Sequence, residues 1–227
     1  MQTNQQLIDD INACEVPAGK CAFWWLGQQS YVLKLRDKVL YLDPFLSENP
    51  RRNVAPLLKP EELENAFLVF GTHDHYDHIN REVWPPIATA APDAKFVCSE
   101  LHVADLSTSL SIPTDRFVGM DDGQSFELDG IKVTAIASAH EFLETDPDTG
   151  VHPHLGFVIE ADGCRVYHAG DTCLYEGIHA KLRDLAPDVM MLPINGRDAV
   201  RFARGCIGNM TYQEAADLAG AIGPRLT

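Results

Sequence analysis

Two observations predict an α+β fold for this 227-residue chain. Short strand-like stretches bounded by turn signals crowd both halves, and helical periodicity is concentrated between and after them. The first strands, Ala22 to Leu26, Ser30 to Leu35 and Val39 to Leu42, are rich in aromatic and branched residues. Turn-prone Gly27 to Gln29 and Arg36 to Lys38 separate them, which is the pattern of a β-meander. Ala66 to Phe70 is a continuous apolar run and reads as a buried strand ended by Gly71-Thr72. Helical spacing then runs from Arg81 to Ala90 and from Ser99 to Ser109, with a strand at Lys95 to Cys98 between them.

The β pattern returns at Phe117 to Gly119, Ser125 to Leu128, Ile131 to Ala137, Leu155 to Glu160 and Arg165 to His168. Asp129-Gly130 and Asp162-Gly163 are hairpin turn signals between members of this set. A helix from about Leu174 to Leu185 and a strand from Asp188 to Leu192 follow. Thr211, with Glu214 three residues on, opens a last helix that Gly223-Pro224 should stop. Arg225-Leu226-Thr227 reads as the start of another strand, so the expectation is an incomplete C-terminal strand. No repeat or Gly/Ser-rich linker divides the chain, and a single domain spanning 1–227 is expected.

Composition narrows the function classes. The apolar content of 45% is enough for a substantial core. Met1 to Asp10 is polar and acidic, and no run approaches the roughly 20 apolar residues that a bilayer requires. The expectation is a soluble, cytoplasmic protein. Six scattered cysteines without a C-x-x-C pair read as reduced thiols, mostly in the core. A net charge of -15 disfavours nucleic acid and anionic membranes as partners, because both normally require a basic surface. That leaves a small-molecule substrate, with a homo-oligomer allowed.

The chemical signal is Thr72-His73-Asp74-His75-Tyr76-Asp77-His78, on a loop directly after the buried strand. At this composition, H-x-H-x-D-H arises by chance in roughly one such sequence per thousand. Imidazole nitrogen and carboxylate oxygen suit zinc, manganese or iron, and the spacing lets one loop supply several ligands. The competing reading is a solvated polar loop. His140 and Asp171 each follow a strand and could supply remote ligands, although either alone is more often a turn or capping residue.

H-x-H-x-D-H after a buried strand, His140 after a later one, and His168-Ala169-Gly170-Asp171 further on resemble the metallo-β-lactamase superfamily. Phe23-Trp24-Trp25-Leu26-Gly27, Leu42-Asp43-Pro44, Gly71 to His75 and Tyr167 to Asp171 are similar, more narrowly, to the ascorbate-6-phosphate lactonase branch. The likeness runs from about Cys21 to the C-terminus. It implies a four-layer αββα sandwich and one or two divalent ions. It also implies that His73, His75 and His140 ligate one metal, that Asp77 and His78 ligate a second, and that Asp171 bridges them. The superfamily usually adds one more histidine from the last strand, a position beyond Thr227, so with these residues alone the expectation is a weak or absent second ion. His168 and Asp43 are expected to orient ligands through hydrogen bonds.

The expected reaction is hydrolysis, since an ion with an open position makes hydroxide available at neutral pH for attack on an ester-like carbonyl. Asp77 is the expected proton acceptor. No G-x-S-x-G elbow competes, and Cys173 reads as a small packed residue rather than a nucleophile. Arg197, Arg201 and Arg204 concentrate positive charge that would suit an anionic substrate, or that is paired with carboxylates. Among them, Arg204 and Arg197 are candidate substrate residues, with Asn195 and His154. Trp24-Trp25 suggests one ring inward and one outward, with core packing preferred. The leading expectation is a lactonase-like hydrolase acting on a small anionic metabolite. A small-molecule phosphodiesterase and a metal-binding protein without turnover are the alternatives.

Overall fold

A computed structural model describes residues 4–227. The sequence expectation for Met1 to Asp10 falls, for residues 1–3, outside the described residues. The chain divides into two compact units, Met1–Gly119 and Met120–Thr227. Each is built around one sheet, so the chain is α+β with two sheets and flanking helices.

In the first unit, helix α1 (Asn4–Ala13) precedes strands β1 (Ala22–Gly27), β2 (Ser30–Leu35), β3 (Lys38–Leu42) and β4 (Ala66–Phe70). Helix α2 (Trp84–Ala90), strand β5 (Lys95–Ser99), helix α3 (Glu100–Leu110) and strand β6 (Phe117–Met120) follow. The strands lie in the order β1-β2-β3-β4-β5-β6. β1, β2 and β3 form the expected antiparallel meander, whereas β3, β4 and β5 run parallel. Both faces of a parallel pair are covered, which is why β4 reads as an unbroken apolar run rather than an alternation. The core gathers Val32, Tyr41, Val69, Trp84 and Phe96.

Helix α2 starts three residues later than the periodicity suggests. Trp84 is its first residue and Pro85-Pro86 occupy the opening turn, where a missing N–H costs nothing. Ser99 caps α3, accepting from Leu101 N. Helix α1 has no counterpart in the sequence reading. It buries only Ile8 and Ile11, and Lys34, 5% exposed, holds its C-terminal end by donating to the carbonyls of Ile11 and Asn12.

The second unit contains β7 (Ser125–Leu128), β8 (Ile131–Ala137), β9 (Leu155–Ala161) and β10 (Cys164–His168). It continues through α4 (Ile178–Leu185), β11 (Val189–Met191), α5 (Ala199–Phe202) and α6 (Tyr212–Ile222). The sheet order is β11-β10-β9-β8-β7, with β10 and β11 parallel and the other pairs antiparallel. Helix α4 begins four residues later than expected, because Gly177 at φ 99° serves as its N-cap. Thr211 and Glu214 form the capping box of α6, and Gly223 ends that helix in the left-handed region. At the C-terminus, Leu226 makes one parallel bridge to Val189. No helix among the described residues is long and apolar enough to cross a membrane. Cys98, Cys164 and Cys173 are buried thiols, Cys14 and Cys21 are half-buried, and Cys206 is exposed.

Candidate metal centre and its neighbouring cleft

The histidine cluster begins where β4 leaves the sheet. Gly71 N donates to Val97 O at 2.9 Å, keeping the chain in register with β5 for one further residue. A Cβ at Gly71 would lie 2.3 Å from Ile79 Cγ1 and 2.8 Å from Trp84 Cζ2, so only glycine fits under the loop. The loop then turns back on itself through His78 N to His75 O at 3.0 Å and Ile79 N to His75 O at 2.9 Å.

That turn gathers the imidazoles of the first unit. His73 Nε2 lies 2.8 Å from His75 Nδ1, and the His73 and His78 rings are 4.1 Å apart. His73 and His78 are buried at 1% exposure. This His/Asp cluster could hold a metal ion: several nitrogen donors converge from one short loop, and Asp77 adds a half-buried carboxylate. Asp77 Oδ2 accepts from Gln28 Nε2 at 3.4 Å.

Asp43 braces the cluster from below. The parallel pairing of Leu42 with Phe70 brings the residue after β3 beside the residues after β4. Asp43 is fully buried and left-handed at φ 44°, a conformation Asp tolerates better than most. Its Oδ1 accepts from Thr72 N at 2.8 Å and its Oδ2 from Thr72 Oγ1 at 2.8 Å. Oδ2 also lies 2.7 Å from His78 Nδ1. A carboxylate at that nitrogen favours the tautomer with its proton on Nδ1, which leaves the Nε2 lone pair for a ligand. Thr72 opens the motif segment, but its pairing with Asp43 spans 29 residues and leaves no local signal in the sequence.

A cleft of about 690 Å³ opens beside the same loop in the first unit, with Tyr76 and Asp77 in its wall. Trp25 lines it too. That ring is 62% exposed, so the preference for core packing at Trp24-Trp25 is corrected for Trp25. Period-two alternation on β1 sends Trp24 against the core, where Nε1 donates to Asp10, and turns Trp25 outward.

In the second unit, His140 and Asp171 sit on neighbouring loops that hydrogen bonds tie together. Cys173 N donates to Ala139 O at 2.7 Å, and Ala139 N to Thr172 Oγ1 at 3.0 Å. His140 is buried, and its ring stands edge-on to His154 with centroids 5.4 Å apart. His168 ends β10 at 0% exposure, and a Cβ on Gly156 would come within 2.9 Å of its carbonyl oxygen. The Cys173 thiol is pushed up from its ordinary pKa by burial, and its Sγ lies 3.4 Å from Gly208 O. That environment suits packing, not nucleophilic attack.

The basic segment is mostly engaged. Arg197 forms a two-point pair with Glu214, at 2.7 and 2.6 Å, and also donates to Asn209 O. The Glu214 carboxyl is thereby held down at about 2. Arg201 pairs with Asp198 at 3.1 Å and donates to Asn195 O. Arg204 is exposed. Asn195 bridges Thr211 in antiparallel fashion, which places it at the start of α6.

Comparison with known proteins places this architecture. The family model described as "Beta-lactamase superfamily domain" matches residues 39–227. A UPF0173 metal-dependent hydrolase from Sulfurisphaera tokodaii is 31% identical over 173 residues, covering 76% of this chain and 71% of that protein. Another from Archaeoglobus fulgidus is 35% identical over 173 residues, covering 75% and 69%. Among solved structures, Igni18, a metallo hydrolase from Ignicoccus hospitalis, superposes with a TM-score of 0.66 at 24% identity. That match covers 91% of this chain and 80% of that one. The chain belongs to the metallo-β-lactamase superfamily, among its metal-dependent hydrolases.

Proposed function

We propose that the protein opens a lactone or a similar ester in a small anionic metabolite, as the likeness of its motifs to the lactonase branch suggests. In this reading His73, His75 and His140 hold one divalent ion, Asp77 and His78 offer donors for a second, and Asp171 bridges them. The observation that carries it is the 2.8 Å approach of His73 Nε2 to His75 Nδ1, two donors of one loop directed at one point. A bound ion of this type would acidify water and polarise a carbonyl. Zinc, manganese and iron all match the donor set.

The remaining roles fall to the chain's own side chains. Asp43 fixes the His78 tautomer from its buried position. Asp77, steadied by Gln28, offers a carboxylate oxygen as proton acceptor. His168, the buried last residue of β10, is the proposed orienting partner for a ligand of the site. Arg204 is the proposed contact for substrate in the second unit, with Asn195 nine residues before it and His154, just ahead of β9, as further candidates. Arg197 is the weaker member of that group because Glu214 already engages it. The charge of -15 keeps nucleic acid out of the substrate range.

The test is turnover by zinc-, manganese- and iron-loaded protein on a lactone, a thioester and a bis-aryl phosphate, with bound metal counted by anomalous scattering. Lactone or thioester turnover supports the proposal. Turnover of the phosphodiester alone, or bound metal without any turnover, would overturn it. His75→Ala and His140→Ala should each lose most of the metal while keeping the far-UV circular dichroism of the parent.

A further inference from the structure

The cleft beside the metal loop combines two features that the proposed reaction does not require. Its wall is largely apolar, built from Trp25, Phe45, Val54, Leu57 and Tyr76. Phe45 and Tyr76 meet edge to face at 5.4 Å, so this wall is a packed aromatic surface and not a loose loop. Set into it are two guanidinium groups, Arg51 and Arg52, against Asp77 as the one carboxylate of the lining.

Arg52 is held in place by the protein. Nε donates to Val54 O at 3.0 Å, Nη1 donates to Phe45 O at 2.9 Å, and the guanidinium lies 4.7 Å over the Phe45 ring. The third nitrogen, Nη2, lies 3.8 Å from where a Cβ on Gly27 would stand, at the turn that borders the cleft. Arg51 is exposed next to it, with its backbone N–H turned to Asn49 Oδ1. In a chain of net charge -15, two adjacent cations in an apolar recess are the opposite of the average surface. A guanidinium already fixed by two carbonyls loses little freedom when it meets an oxyanion.

We infer that this cleft is the specificity pocket of the enzyme. It takes a substrate whose non-reacting portion is an aromatic or branched-alkyl body ended by an oxyanion, the body lying against Trp25 and Phe45 and the oxyanion meeting Arg51 and Arg52. A volume of about 690 Å³ is in the range of small-molecule sites. Tyr76 and Asp77 place the pocket against the loop that carries His75 and His78, so a ligand seated there has its free end at the proposed metal centre. The inference rests on the hydrolase reading for its meaning, but its test does not need turnover.

Binding of 2-naphthoate, 2-naphthyl phosphate, 2-naphthamide and acetate to the full chain treated with chelator is measured by calorimetry, and the contact is mapped by amide shifts. The expected result is that one or both naphthyl anions bind at least about ten-fold more tightly than the amide and acetate, with shifts at Trp25 and Val54. The preferred anion tells carboxylate from phosphate. Arg51→Ala should weaken the anion by about ten-fold and leave the amide unchanged. Val54→Asp should weaken both, and its melting temperature confirms folding. Equal binding of amide and anion, or shifts confined to other regions, would overturn the pocket. Anion binding here without ester turnover of the metal-loaded protein sinks the proposed reaction and leaves the pocket standing; the reverse result does the opposite.

Discussion

Asp43 Oδ2 lies 2.7 Å from His78 Nδ1, and both residues are shut off from solvent. The same carboxylate accepts from the backbone and the hydroxyl of Thr72. Asp43→Asn keeps the shape but replaces one acceptor with a donor, so His78 loses the partner that sets its tautomer. The expected outcome is a 10- to 100-fold weaker affinity for the metal, roughly the usual cost of losing such a partner. Folding stability should fall by about 1–3 kcal/mol as a buried group is left mismatched. Competition titration against a chelator reads the first and denaturant unfolding of the metal-free protein reads the second. Unchanged metal affinity would remove Asp43 from the site.

Gly71→Ala should destabilise the loop base. Its new methyl would stand 2.3 Å from Ile79 Cγ1 and 2.8 Å from Trp84 Cζ2, and Trp84 is at 0% exposure with Phe96 packed against it. Overpacking of this kind costs about 1–3 kcal/mol. The companion variant Gly71→Ala/Ile79→Ala removes the nearest obstacle, so its total loss should be smaller than the sum of the two single losses. Strict additivity in thermal unfolding would show that Ile79 is not what excludes the methyl.

Arg81 ties the motif loop to α3. Its guanidinium meets both carboxylate oxygens of Asp74, at 3.2 and 2.5 Å, and also Asp105 at 2.8 Å and Ser109 at 2.9 Å. These side chains are substantially exposed, so Arg81→Ala should cost only about 1 kcal/mol of stability. Asp74 sits between His73 and His75, however, and releasing it frees the segment that aims them. Metal affinity should therefore fall by more than stability does, and Arg81→Lys should not restore it, because a single ammonium cannot span both oxygens. Equal metal affinity in the parent and both variants would contradict this role.

The loop bearing the histidines was legible because its chemistry is local: six consecutive residues carry the donors, and an apolar run marks the strand before them. The partnership of Asp43 with His78 was half legible. Asp43-Pro44 signals a turn, but its place under the motif depends on β3 running parallel to β4, a pairing with 23 residues between the two strands. Arg197 shows the opposite failure. A run of arginines reads as an anion site until Glu214, which serves the α6 cap, is seen to engage its first member. The cleft at Arg51 and Arg52 was not legible at all, since the segment from Asp43 to Leu57 has no period and forms its wall by irregular turns. Helix α1 carries little apolar periodicity, because its buried face is two isoleucines wide.

The Arg197–Glu214 pair gives a prediction in pH. Arg197 holds the Glu214 carboxyl at about 2, against 4.5 for the unpaired group. Above about pH 4.5 the carboxyl is ionised in both folded and unfolded chains, and the stabilisation from the pair is complete. Between pH 4.5 and 2 the unfolded chain takes up a proton that the folded one refuses, so stability falls as pH falls. Both side chains are partly exposed, at 45% and 27%, and solvent screening reduces the contribution to about 1 kcal/mol. That is about 2–4 °C in melting temperature for a chain of this size. Glu214→Gln in chelator-treated protein should thus melt below the parent by that amount at pH 6, and the gap should close as pH approaches 2. A gap that is constant across the range would assign the loss to the capping bonds with Thr211, which the glutamine keeps only in part, and would remove the ion pair from the account.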